Sequence, residues 1–260
     1  MSDETLHQLI VGTGAAARPI AVRVRPGAAP GLLWLGGFKS DMRGTKAEAL
    51  AAHAQKTGRA NVRFDYSGHG ESGGRFEDGT ISRWLEEAIA VFEAFAEAGE
   101  IVIGSSMGAW IALLLARELA RRPMARGRIK GLLLIAPAPD FTEALMWPAL
   151  IPAARREIEE HGVWMRPSAY GDGPYPITRA LIEDGRRHLL LGKPIEIGCP
   201  VRILQGALDP DVPWQHAMKL VACLPQDEVT FTLVKDGDHR LSRPEDIERL
   251  LRGVDELATP

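Results

Sequence analysis

Cysteine is nearly missing from this chain: 260 residues hold two, Cys199 and Cys223. Each sits among apolar residues near a proline and neither has metal-ligand spacing, so both read as buried free thiols. A disulfide framework or cysteine-built metal centre is not what organises the fold. An excess of either charge is missing too. Thirty-one Lys and Arg against 34 Asp and Glu leave a net charge of −3, which gives no general attraction to nucleic acid or anionic membranes. The Arg-rich run Arg117–Lys130 reads as a solvated helix end, where the helix dipole favours cations. No 18-residue apolar run occurs, and no apolar stretch follows the acidic start Met1-Ser-Asp-Glu-Thr5. A membrane span, a secretory signal and a transit peptide are therefore unsupported, and a cytoplasmic location is expected. There is no internal repeat and no low-complexity linker, so one domain spanning 1–260 is expected.

What the chain does have is alternation. Strands are expected at His7–Val11 and Pro19–Arg25, split by Gly12-Thr-Gly14, then at Leu32–Leu35 and Asn61–Asp65. Further strands are expected at Ile101–Ile103, Gly131–Ala136, Val201–Gln205 and Glu228–Val234. Helices are expected from Thr45 to near Gly58, and over Thr80–Ala98, Met107–Ala120, Trp214–Leu224 and Pro244–Leu257. Thr45 with Glu48 and Ser242 with Glu245 have capping-box spacing. This pattern predicts an α/β fold: a mostly parallel sheet with helices on both faces and an antiparallel pair at its start. Residues 140–197 break the alternation, with helical pieces around Ala153–His161 and Pro176–Leu191, and are expected to form an inserted helical lid. Met146, Trp147, Trp164, Met165, Tyr170 and Tyr175 within it suit either a small core or an apolar acyl pocket.

The chemistry centres on Gly104-Ser105-Ser106-Met107-Gly108, which fits G-x-S-x-G between a buried strand and a helix. A strand that becomes a helix within one residue strains that residue, and flanking glycines let the turn close. Ser106 is thus the expected nucleophile, with the Met107 amide at the helix start as an oxyanion donor. A serine hydroxyl needs a base to take its proton, and an acid to orient that base. Of the seven histidines, His239 directly follows the last strand in Asp236-Gly-Asp-His-Arg-Leu; His53 and His216 fall in helices, His161 and His188 in the lid. The acid is expected between serine and histidine in the chain. Asp209, just after Val201–Gln205, fits; Asp211 is its rival and otherwise a cap for the helix near Pro213. The loop Gly36-Gly37-Phe38 after Leu32–Leu35 makes the Phe38 amide the second donor. Gly68-His-Gly-Glu-Ser-Gly73 spells a dinucleotide fingerprint, but no helix opens at its third glycine, so it reads as a loop bordering the pocket.

These stretches, with Phe64-Asp-Tyr-Ser-Gly-His-Gly-Glu-Ser72 and Gly206-x-x-Asp209-x-x-Val-Pro213, resemble the α/β-hydrolase family along nearly the whole chain. Gly44-Thr-Lys-Ala47, Arg63-Phe-Asp-Tyr-Ser-Gly68, Gly162-Val-Trp164, Cys199-Pro-Val-Arg-Ile-Leu204, Val212-Pro-Trp214 and Asp238-His-Arg240 are similar to its mitochondrial branch, which acts as palmitoyl-protein thioesterase and acyl-glucuronide esterase. The resemblance implies the α/β-hydrolase fold, nucleophile, acid and base at Ser106, Asp209 and His239, and hydrolysis of esters or thioesters. It implies no cofactor or metal. The expected partner is a small-molecule ester or an acylated substrate, S-acylated protein included, and no nucleic acid; the sequence assigns no oligomeric state. The alternative from a different class is a non-catalytic ligand-binding relative.

Overall fold

A computed structural model of the chain describes residues 4–96, 99–122, 128–167, 173–225 and 227–259. Eight strands build the main sheet: β1 (Thr5–Val11), β2 (Arg18–Arg25), β3 (Ala28–Leu35), β4 (Arg59–Phe64), β5 (Glu100–Ser105), β6 (Ile129–Ile135), β9 (Val201–Gly206) and β10 (Val229–Val234). Their order is β1-β2-β4-β3-β5-β6-β9-β10. β2 runs antiparallel to β1 and β4, and the remaining neighbours are parallel. β5 lies in the interior of the sheet, and all six of its residues are buried. That is why Ile101–Ile103 reads as an unbroken apolar run rather than an alternating one.

Alternate side chains of these strands feed two cores. Leu33, Leu35 and Val102 join residues of α2 (Ile81–Phe95), α3 (Met107–Ala120) and α7 (Trp214–Ala222) on one face. Leu32, Trp34, Ile101 and Ile103 join residues of α1 (Thr45–Thr57) and α8 (Pro244–Ala258) on the other. Successive strand residues point to opposite faces, so three-layer packing follows directly from the apolar runs. No helix among the described residues is long and apolar enough to cross a membrane.

Between β6 and β9 the chain makes a π-helical turn (Thr142–Met146), α4 (Trp147–Ala149), α5 (Pro152–His161), the antiparallel pair β7 (Val163–Arg166) and β8 (Tyr175–Thr178), and α6 (Arg179–Arg186). The helix expected over Pro176–Leu191 is thus a strand followed by a shorter helix, which Thr178 caps by accepting the Leu181 amide. Buried Asp184 on α6 ties this segment to α2: its oxygens accept from the Ser82 amide at 2.7 Å and hydroxyl at 2.8 Å.

Two expected capping boxes do not form. Gly44, which has no side chain to cap with, is the N-cap of α1, so Thr45 lies inside the helix, and Glu48 accepts instead from the Arg63 guanidinium. At α8 the box is Arg243 with Asp246. Asp211 caps nothing; α7 starts after Pro213 with no side-chain cap. Part of the Arg-rich run, 123–127, lies outside the described residues.

Candidate active site

Ser106 sits between β5 and α3 with φ 55° and ψ −114°. A serine rarely holds such a backbone, and here the surroundings enforce it. Its amide donates to the Ile135 carbonyl at 2.8 Å, and its carbonyl accepts from Ala109 at 3.0 Å and Ala138 at 3.3 Å. The flanking glycines are required by packing. A Cβ on Gly104 would lie 2.6 Å from Ala109 Cα, and one on Gly108 would overlap the Leu35 carbonyl oxygen.

The Gly36-Gly37-Phe38 loop lies against this turn. A Cβ on Gly37 would be 3.3 Å from the Ser105 carbonyl oxygen and 3.5 Å from Ser106 Cβ, so the chain passes close beside Ser106. No described residue accepts a hydrogen bond from the Phe38 amide or from Met107, the first residue of α3. Both N–H groups remain available to a ligand, as an oxyanion site needs.

Asp209 follows β9 and its side chain is fully buried. Oδ1 accepts the amides of Asp211 at 2.9 Å and Val212 at 2.8 Å. Oδ2 accepts from Gln205 Nε2 at 3.2 Å and lies 2.8 Å from His239 Nδ1. That contact sets the tautomer: Nδ1–H donates to the carboxylate, leaving Nε2 as the free base. The His239 loop is itself held. Leu208 donates to the Gly237 carbonyl at 2.9 Å, and Asp238 accepts the Leu241 amide at 2.9 Å. From α1, Lys46 Nζ donates to the Arg240 carbonyl; burial pushes this ammonium down to about 8.

Ser106 and His239 open onto one cavity of about 440 Å³. Phe38, Phe141, Leu145, Met146, Tyr175 and Val212 supply its apolar wall, and Arg166 and Asp211 its charges. The apolar residues expected in the inserted segment therefore divide. Met146 and Tyr175 face the cavity, Trp147 and Trp164 pack against the core, Met165 is exposed, and Tyr170 lies outside the described residues. A larger groove of about 760 Å³, bordered by Arg18, Glu86 and Arg187, contains none of the candidate residues.

Asp209, Asp211 and His239 also bring one potential ligand atom each within 4.8 Å of one another. Both Asp209 oxygens already accept donors from the protein, and Oδ2 is the one that meets the His239 ring. The glycine-rich Gly68–Gly73 stretch is a loop well ahead of α2, and offers no helix N-terminus to a pyrophosphate.

Residues 25–250 match the Alpha/beta hydrolase family. The human mitochondrial palmitoyl-protein thioesterase ABHD10 is 34% identical over 239 residues, 92% of this chain and 76% of that protein. A crystal structure from Agrobacterium vitis S4 is 51% identical with a TM-score of 0.96, covering 99% of this chain and all of that one. The mouse alpha/beta hydrolase domain-containing protein 10 superposes with a TM-score of 0.85 at 32% identity, over 97% of this chain and 98% of its own.

Proposed function

The chain belongs to the alpha/beta hydrolase family, and on that premise we propose that it is a serine hydrolase cleaving carboxylic esters or thioesters through an acyl-enzyme. One observation carries the reading. Ser106 is held at a strained strand-to-helix turn on the same cavity as His239, whose Nδ1 is fixed by a buried carboxylate.

In this mechanism Ser106 Oγ attacks the substrate carbonyl carbon while His239 Nε2 takes the hydroxyl proton. The carbonyl electrons move to oxygen, and the amides of Phe38 and Met107 bind the negative charge that develops. The tetrahedral intermediate collapses, the C–O or C–S bond breaks, and His239 returns its proton to the leaving group. Water then attacks the acyl-serine by the same route. Asp209 keeps His239 in one tautomer and stabilises its cation.

The substrate reading rests on the relatives and the cavity. A palmitoyl-protein thioesterase is the named activity of the human relative, and this cavity has an apolar wall suited to an acyl chain. Residues 140–197 act as a lid within a single domain, since Phe141, Leu145, Met146, Arg166 and Tyr175 reach the cavity from that segment. The test is hydrolysis of a series of nitrophenyl esters and acyl thioesters of increasing length. Turnover that disappears in Ser106→Ala supports the reading, and turnover that persists in it overturns the reading.

A further inference from the structure

The loop after β4 carries a buried histidine that this mechanism does not use. His69 is 5% exposed, and each of its ring nitrogens meets a backbone group. Nδ1 lies 3.1 Å from the Ser67 carbonyl oxygen, and Nε2 lies 3.2 Å from the Lys39 amide nitrogen. A carbonyl only accepts and an amide N–H only donates, so the two contacts fix the tautomer. Nδ1 carries the proton, and Nε2 accepts the Lys39 amide.

Lys39 is the residue after Phe38, so this bond restrains the chain immediately beyond the oxyanion donor. It restrains a residue that needs holding. Lys39 has φ 59°, in the left-handed region that a lysine seldom occupies. The rings of Phe38 and His69 also share a cage. Phe38 packs on Phe76 and Trp84 at 5.0 and 6.0 Å between centroids, His69 on the same rings at 5.1 and 5.5 Å. The platform beneath His69 is firm. Asp65 accepts the amides of Met42 at 2.6 Å and Glu71 at 2.7 Å. Glu87, fully buried, accepts the Ser67 amide at 2.9 Å.

We infer that His69 is a positioning residue for the oxyanion site: by accepting the Lys39 amide it holds the Phe38 N–H where the transition state needs it. The inference rests on the hydrolase reading and deepens it, since His69 acts through Phe38 and touches no reacting atom. A displacement of about 1 Å in such a donor is enough to cost on the order of 100-fold in rate. The role also requires an uncharged ring. Burial pushes the His69 imidazole down to about 4, so Nε2 stays an acceptor at ordinary pH. Lys39 and Asp41 border the same small cavity as His69, with the Lys39 ammonium 4.3 Å above the Tyr175 ring, and the Asp65 and Glu87 carboxylates hold the loop beneath it.

Two variants and one measurement on the unaltered protein test this. His69→Leu removes the acceptor; His69→Gln keeps one at a similar reach. The Leu variant is expected to lose about 10- to 100-fold in kcat with KM within about threefold, and a similar factor in affinity for a boronic acid that mimics the tetrahedral oxyanion. The Gln variant is expected to recover most of both. In the unaltered protein, long-range 1H–15N spectra should show Nδ1 protonated, Nε2 unprotonated and the Lys39 amide protected from exchange. A folded Leu variant with unchanged kcat and boronate affinity overturns the inference, as does a loss that only tracks the unfolded fraction. A proton on Nε2, or a freely exchanging Lys39 amide, overturns it even if neither variant folds. Because the spectra do not depend on turnover, they stand if the hydrolase reading itself fails through an active Ser106→Ala.

Discussion

His239 Nδ1 lies 2.8 Å from Asp209, whose side chain is wholly buried, while the imidazole keeps 23% of its surface exposed. One end of the ring is anchored in the protein and the other faces the cavity. Asp209→Asn is expected to fold normally yet lose about 1,000- to 10,000-fold in kcat, because an amide favours the wrong tautomer. Asp211→Asn, whose carboxylate holds no tautomer, should stay within a few-fold. Steady-state hydrolysis of a nitrophenyl ester by the two variants checks this; a larger loss at 211 transfers the acid role there.

Gly108 packs against the carbonyls of Leu35 and Gly36, which are backbone and cannot swing aside. Gly108→Ala should lower stability by about 2 kcal/mol or more and reduce activity by shifting the oxyanion loop. Urea unfolding followed by circular dichroism measures it, and a midpoint equal to that of the parent contradicts the packing.

The His69 imidazole, held down to about 4 by burial, also sets a pH dependence of stability. Its ordinary value is about 6.5, so below that pH the unfolded chain binds a proton that the native protein refuses until about pH 4. Stability therefore falls as pH drops from about 6.5 to 4 and this contribution levels off below, with a full effect on the order of 3 kcal/mol. His188 and His216, also lowered by burial, act in the same direction. The His69→Gln variant isolates the effect: urea midpoints at pH 7, 5 and 4 should fall less steeply than in the parent.

Burial, helped by Asp227, pushes the Cys199 thiol up to about 12. Native protein at pH 8 should leave this thiol unreacted with a disulfide reagent for hours, and urea should release it at once. Rapid native labelling of Cys199 contradicts the burial.

The elbow was readable from sequence because three separate signals coincide on Ser106: a doubly buried strand, an apolar helix and two glycines that packing demands. Asp209 and His239 were readable because each directly follows a strand of a parallel sheet, which puts both at its carboxyl edge. Other features depend on partners far away in the chain. Glu48 has capping-box spacing but is taken by Arg63, and Pro176-Ile177 continues a helical pattern yet pairs with Trp164 and Met165 as a strand. The role of His69 was hidden for the same reason: its partner, Lys39, is thirty residues away on another loop.

Whether Ser106 is the nucleophile is read by intact-mass and peptide analysis after brief exposure to a fluorophosphonate. One adduct per chain is expected, on Ser106, lost in Ser106→Ala and greatly slowed in His239→Ala. No adduct on the folded protein, or an adduct that persists in Ser106→Ala, contradicts that role.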